Sequence, residues 1–249
     1  MLSAFESRTA LLLGRQGVQK LQNAHVILFG VGGVGGYVAE ALARAGVGRL
    51  TLVDDDRVAE SNLNRQIIAL TSTLGQPKAE AAARRVQSIN PACRVTPVSL
   101  FYLPETACQL PLEGADYVVD AVDTVSAKLE IIGRARAAGV PVISCMGTGN
   151  KLHPELLQLS VLEKTQGCPL ARVMRRECRA RGYKNVPVVF SPEPPLTPRP
   201  EIAAQSAAEP GAIRPGAPKR QTPGSVSFVP GAAGLILAGK VVRDLVGLE

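Results

Sequence analysis

The chain is 249 residues long, with 46% hydrophobic and 20% charged residues, a balance that supports a full core and fits one large α/β domain better than two equal ones. Its formal net charge of +7 favours an anionic partner such as nucleic acid, but the excess is spread over a long chain and identifies none. The five cysteines form no C-x-x-C pair and histidine occurs only twice, which argues against a structural zinc knuckle; the odd count and the lack of a secretory leader point to a reducing cytoplasm.

An amino-terminal arm, residues 1–24, comes first. Within it, residues 5–22 carry Leu11, Leu12, Val18 and Leu21 at helical spacing, interrupted by Gly14 and Gly17, and so predict one or two short helices. Arg8 lies in this arm, where spacing alone makes it a solvated arginine.

The stretch 25–56 organises the rest of the chain. An apolar run at 26–29 meets Gly30, Gly32, Gly33, Gly35 and Gly36, a helical pattern runs from Val34 through Ala45, and a second apolar run at 50–53 ends on Asp54. This is strand, turn, helix, strand, acid. Glycines let the backbone approach a phosphate, the helix start directs unpaired N–H groups at the anion, and the acid accepts hydrogen bonds from a ribose hydroxyl. NAD, FAD, S-adenosylmethionine and ATP all satisfy that pattern.

Residues 57–73 are polar and turn-rich, so Asn62, Asn64, Arg65 and Gln66 fall where a doubly wound sheet presents its ligand loops. Pro77 opens a helix whose inward face is Ala79, Ala82, Ala83, Val86 and Ile89. Lys78 stands at its amino end, where a cation gains nothing from the helix dipole, so its placement has little structural explanation.

A strand at 94–99, a connection at 101–112 and a buried strand at 115–119 come next, the last ending on Asp120. Asp120 caps or turns the chain, whereas Asp123 is better placed for a ligand at the carboxyl edge. A helix at 126–138, a strand at 140–144 and a flexible loop, CMGTGN at 145–150, continue the alternation; Cys145 reads equally as a small buried hydrophobe or a nucleophile.

Beyond a strand at 156–162, a helix at 170–181 carries Arg172, Arg175, Arg176 and Arg179 along one side. That face is either solvated or set against a phosphate backbone; aromatic residues are only 4% of the chain, so stacking on bases is not the mode. A strand at 186–190 precedes a long loop rich in Pro, Ala and Gly at 192–224, a strand at 226–229 and an apolar helix at 232–246. That helix, broken by Lys240, is too short for a membrane span and suits the core or a subunit interface.

Taken together, GVGGVG at 30–35, DDD at 54–56, SNLNRQ at 61–66, GQPKAE at 75–80 and DAVD at 120–123 resemble the ThiF/MoeB/HesA superfamily of E1-like adenylating enzymes. The opening FESRTALLLG, INPACRV at 89–95, DAVDTVSAK at 120–128, CPLARVMRRE at 168–177 and VVFSPEPP at 188–195 are most similar to its tRNA threonylcarbamoyladenosine dehydratases, the TcdA/CsdL-like group. The resemblance implies an α/β, Rossmann-like three-layer fold with an extended, partly mixed central sheet. It implies one domain over 1–249: the arm, a nucleotide-binding core at 25–165, and a C-terminal part at 166–249 holding the basic helix, the proline-rich loop and a final strand and helix.

The implied activity is ATP-dependent dehydration and cyclisation of the threonylcarbamoyl group on tRNA adenosine, through carboxylate adenylation. The alternative is adenylation of the C-terminus of a small sulfur-carrier or ubiquitin-like protein. By resemblance, Gly30, Gly32, Gly33 and Gly35 surround the ATP phosphates, Asp54 holds the ribose, and Asp56 is a nearby polar or ion-associated acid. Asn62, Arg65 and Lys78 contact the phosphates, Asp123 serves Mg²⁺ or the adenylation centre, and Arg8 crosses a homodimer interface to the partner's nucleotide. Arg65, Lys78, Asp123 and Arg8 are thus the catalytic set, with Arg172, Arg175, Arg176 and Arg179 facing tRNA. A structural monovalent cation and a sulfur-transfer partner protein stay open.

Two departures bear on these expectations. The zinc-binding C-x-x-C pairs usual in sulfur-carrier activators are missing, which lowers the protein-adenylating alternative, and Val188 stands where many of the dehydratases carry a cysteine, leaving Cys145 and Cys168 as the candidates for covalent work.

Overall fold

The computed structural model describes residues 3–202 and 223–248. Of the proline-rich stretch 192–224, residues 203–222 lie outside the described residues. Seven strands form a single sheet: β1 His25–Phe29, β2 Arg49–Val53, β3 Arg94–Val98, β4 Tyr117–Asp120, β5 Val142–Cys145, β6 Gln158–Val161 and β7 Pro187–Phe190, in the order β3-β2-β1-β4-β5-β7-β6. All neighbours are parallel except β6, which runs antiparallel to β7 at one edge, so the sheet is mixed as expected.

The helices are α1 Ser7–Asn23, α2 Gly35–Ala45, α3 Lys78–Ile89, α4 Val125–Ala137, α5 Pro169–Ala180 and α6 Phe228–Val246. Strands β1 and β4 are short apolar runs buried along nearly their whole length, as central parallel strands covered on both faces must be. One apolar cluster joins Val26 and Leu28 to Val38, Leu42, Val86 and Leu237 from α2, α3 and α6. The other joins Ile27 and Phe29 to Ile131, Ile132, Ala171 and Met174 from α4 and α5. The result is three layers with the sheet in the middle.

Arm helix α1 breaks at Gly14, which takes φ 70°, ψ 171°, so it is two helical pieces across a kink. From the C-terminal part at 166–249, β7 inserts between β5 and β6 of the core at 25–165 and pairs with both.

The strand expected at 226–229 does not form; α6 begins at Phe228. Its apolar residues belong to a helical stripe, Val229, Ala233, Leu237 and Val241, each no more than 1% exposed and four apart. Pro230 falls in the first turn, where its missing N–H costs nothing. Four apolar-rich residues are too few to separate a period of 2 from one of 3.6. Among the described residues, no helix is long and apolar enough to cross a membrane.

Candidate nucleotide-binding site

The sheet order reverses between β1 and β4, and the carboxyl ends of strands at such a reversal open a crevice. A cavity of about 660 Å³ lies there. Gly30, Gly32 and Gly33 line it at the end of β1, Asp54, Asp55 and Asp56 at the end of β2, and Asp123 after β4. The far wall is the 145–151 loop after β5, with Cys168 and Leu170 at the start of α5.

The glycine turn is held shut from below. Gly30 takes φ +81°, its N–H donates to the Val53 carbonyl at 2.8 Å, and a β-carbon there would meet the Ala121 carbonyl oxygen at 2.8 Å. Gly35 does not line the cavity. It is the first residue of α2, and a β-carbon on it would stand 1.8 Å from the Gly30 carbonyl oxygen. Its absent side chain lets helix and turn meet, a role separate from phosphate approach.

Asp54 fixes the turn to β2, accepting the N–H of Val31 at 2.8 Å and that of Asp56 at 2.9 Å, one on each carboxylate oxygen. Burial pushes its carboxyl above the ordinary range, opposed by the Lys78 charge and by those two N–H donors. Each oxygen keeps further acceptor capacity for a ribose hydroxyl. The Lys78 ammonium pairs with Asp56 at 2.9 Å, with the lysine side chain 7% exposed. That partner explains why a lysine stands at a helix amino end, and it aims the charge at the crevice.

Asn62 is buried, and its Oδ1 accepts the Ala59 N–H at 3.1 Å, closing the turn that carries the loop inward. Arg65 also lines the cavity, donating from Nη1 to the Ser61 carbonyl at 2.8 Å and to Asn64 Oδ1 at 2.9 Å, with no carboxylate in contact among the described residues. Burial lowers its pKa from the usual arginine value. A half-buried guanidinium without an acid beside a glycine turn is suited to an anion.

Asp123 is exposed to the cavity, its Oδ1 accepting a long 3.4 Å bond from Thr124 Oγ1. Three residues earlier, Asp120 does turn the chain, as its Oδ1 accepts the Val122 N–H at 3.1 Å. Among the described residues, the one acidic group with ligand atoms within 4.8 Å of one another is Asp54, Asp55 and Asp56, and Asp123 stands outside it. Arg8 is exposed on α1 and is not among the residues lining this chain's cavity.

The basic helix α5 starts at the cavity wall and leads away from it. Arg172, Arg176 and Arg179 are exposed, whereas Arg175 turns toward the protein and donates to the Thr165 carbonyl at 2.7 Å. Arg175 therefore leaves the expected row of four, because it sits at the border of the buried stripe made by Ala171, Met174 and Cys178. Arg176 also pairs with Glu177 at 2.8 Å.

Cys145 is a buried thiol whose pKa burial pushes up to about 12, and its Sγ–H donates to the Met146 carbonyl at 3.4 Å. That is a packing residue and a poor nucleophile. Cys168 lines the cavity; Val188 is fully buried within β7 and does not.

Two lysines escape sequence reasoning. Lys128 Nζ, fully buried, bonds Asp120 at 3.0 Å and the Cys145 carbonyl at 2.7 Å, tying the ends of β4 and β5 together under the cavity. Lys151 lines the far wall. Helical spacing marks neither, and only their neighbours in space distinguish them.

The model of the ThiF family matches residues 6–249. Over 246 residues the chain is 43% identical to the tRNA threonylcarbamoyladenosine dehydratase of Bacillus subtilis, covering 98% of this chain and 95% of that protein. Identity to the Escherichia coli enzyme of the same name is 40% over 193 residues, covering 74% and 72%. The crystal structure of E. coli tRNA N6-threonylcarbamoyladenosine dehydratase in complex with ATP superposes with a TM-score of 0.83 at 33% identity, covering 97% of this chain and 93% of that one. By a match that runs from the arm to the last residue, the chain belongs to the ThiF family.

Proposed function

We propose that this protein uses ATP to dehydrate N6-threonylcarbamoyladenosine in tRNA to its cyclic form. The carrying observation is the cavity at the β1/β4 reversal, where the glycine turn, an acid-free Arg65 and Lys78 converge in a chain 43% identical to a dehydratase of that name. A carboxylate is a poor electrophile. Attack of its oxygen on the α-phosphorus of ATP expels pyrophosphate and leaves an acyl adenylate; closure of the neighbouring carbamoyl group on the acyl carbon then expels AMP, and the nucleoside has lost one water. Arg65 and Lys78 offset the charge that grows on the phosphates, Asp54 holds the ribose, and the closed turn fixes the α-phosphorus in line.

Mg²⁺ accompanies ATP in this reading. Held by a carboxylate of the cavity, it would supply charge neutralisation on the phosphates. Asp54 is engaged by two N–H donors and Asp56 by Lys78; of the other acids lining the cavity, Asp55 and Asp123, we assign the ion to Asp123, on the loop after β4. A structural monovalent cation and a sulfur-transfer partner belong to the wider reading; activity unchanged between sodium and potassium buffers, or in the purified protein alone, removes each in turn.

Incubating the protein with ATP, magnesium and threonylcarbamoyladenosine-containing tRNA, then digesting the tRNA for mass spectrometry, is expected to show a nucleoside lighter by one water. Unchanged nucleoside alongside ATP–pyrophosphate exchange driven by a small carrier protein would replace this reading with protein adenylation.

The tRNA backbone is assigned to the exposed Arg172, Arg176 and Arg179 face of α5, a helix whose first residues line the cavity. Reversing Arg172 and Arg179 to glutamate is expected to weaken tRNA binding about tenfold or more at low salt and flatten its salt dependence, with ATP affinity unchanged. Equal salt slopes in filter binding would remove the helix from the interface.

A homodimer is assigned on the arm. Leu11 and Leu12 are 85% and 86% exposed beside Arg8, and an apolar pair so open calls for cover. In this reading a second copy covers the pair, and Arg8, on the same arm, serves the partner's nucleotide. Sedimentation equilibrium is expected to give twice the 26.2 kDa chain mass, and Leu12→Lys to halve it; a monomeric wild type ends the assignment. The same reading locates the protein in the cytoplasm, supported by five free thiols, and fractionation into an oxidising compartment would contradict it.

A further inference from the structure

We propose that Lys151 is the binding residue for the substrate's carboxylate, a subsite on the cavity wall opposite the glycine turn. The inference rests on the function proposed above and adds to it where the acid being activated is held.

Lys151 is 3% exposed and lines the cavity. Its ammonium donates to the main-chain carbonyls of Ser191, at 3.5 Å, and Glu193. Neither acceptor carries a charge. The neighbouring carboxylate of Glu193 is turned elsewhere, its oxygens accepting the N–H groups of Leu152 at 2.9 Å and His153 at 3.2 Å.

The other buried lysines differ in this respect. Lys78 has Asp56 at 2.9 Å and Lys128 has Asp120 at 3.0 Å. Among the described residues, Lys151 is thus a buried lysine without an ion pair in contact, and burial lowers its pKa from the ordinary lysine value, opposed by the more distant charges of Cys168 and Glu193. An ammonium has three donors, two of which are used here. Removing a cation from water without a counter-ion in contact is costly, and a substrate carboxylate supplies one.

The chemistry requires a cation at this place. Adenylation brings a carboxylate against an α-phosphate, two anions that repel unless positive charge stands by each. Arg65 and Lys78 lie on the glycine-turn side; Lys151 lies on the far wall, in the loop that also lines the cavity with Gly147 and Thr148.

The test uses the full chain, saturated with α,β-methylene ATP to block turnover, and two tRNA probes: one with threonylcarbamoyladenosine, one with its neutral methyl ester. Wild type is expected to prefer the carboxylate probe by about tenfold to a hundredfold, the range of a charged hydrogen-bonded pair. Lys151→Met and Lys151→Gln are expected to bind both probes alike, at the wild-type affinity for the ester and for the ATP analogue. Two outcomes overturn the proposal: either variant keeping the wild-type preference, or both variants losing ester and nucleotide binding together, which would make Lys151 a structural residue. The dehydration assay on wild type is read separately, so failure of the subsite and failure of the assigned reaction stay distinguishable.

Discussion

Lys128→Met is expected to destabilise the protein by about 3–5 kcal/mol, seen in urea unfolding as a lower midpoint at an unchanged m-value. Both partners of the Lys128–Asp120 pair have fully buried side chains, 3.0 Å apart. The ammonium also lies 2.7 Å from the Cys145 carbonyl and 3.4 Å from Ser144 Oγ. Methionine keeps the length of the stem and removes the charge, so Asp120, still hydrogen-bonded by Ser144 Oγ and the Val122 N–H, is left buried and ionised without its counter-charge or must take up a proton. The cost comes from the buried charge left without its counter-ion more than from the lost attraction, which makes a second result obligatory: Asp120→Asn added to Lys128→Met recovers part of the loss. A single-variant effect below about 1 kcal/mol, the range of an exposed ion pair, would contradict the buried geometry. The pair also bears on activity. Asp120 Oδ1 holds the Val122 N–H at 3.1 Å, and that residue precedes Asp123 in the loop facing the nucleotide.

Legibility in the sequence is a matter of range. The glycine turn, the acid ending β2 and the alternation of strands and helices are local patterns, and the register of β1 against β2 and β4 is set by apolar runs buried on both faces. Asn62, Arg65 and Lys78 were also legible, because motif spacing fixes loop residues next to strand ends. The sequence did not reveal which residues their side chains would meet. Lys128 depends on Ser144 and Cys145, and Lys151 on Ser191 and Glu193, neighbours only once β5 and β7 pair. Arg175 failed for a smaller reason: one helical position, or about 100° of rotation, separates a solvent-facing arginine from one that caps the preceding turn at Thr165. The 226–229 run failed because a short apolar segment carries no period of its own.

Gly35→Ala is expected to weaken ATP binding about a hundredfold, measured by calorimetric titration, with most of the fold retained. The added carbon would lie 1.8 Å from the Gly30 carbonyl oxygen and 2.8 Å from its carbonyl carbon, both backbone atoms that no rotamer change can move. The turn has nowhere to retreat. Gly30 is already at φ +81°, its N–H is bound to Val53, and the Ala121 carbonyl closes the space behind it. Relief must come from lifting α2 away from the turn, which takes the N–H groups of the helix start out of register with the phosphates. Gly33→Ala is the internal control. It faces the cavity itself, yet its β-carbon would meet only side-chain atoms, Pro230 Cβ at 3.4 Å and Arg65 Cγ at 3.5 Å, contacts the neighbours can accommodate. If bulk beside the phosphates were the whole reason for glycine here, the Gly33 variant would be the more damaging of the two. Dominance of the Gly35 variant instead locates the requirement in the packing of helix on turn, since that glycine lies outside the cavity lining.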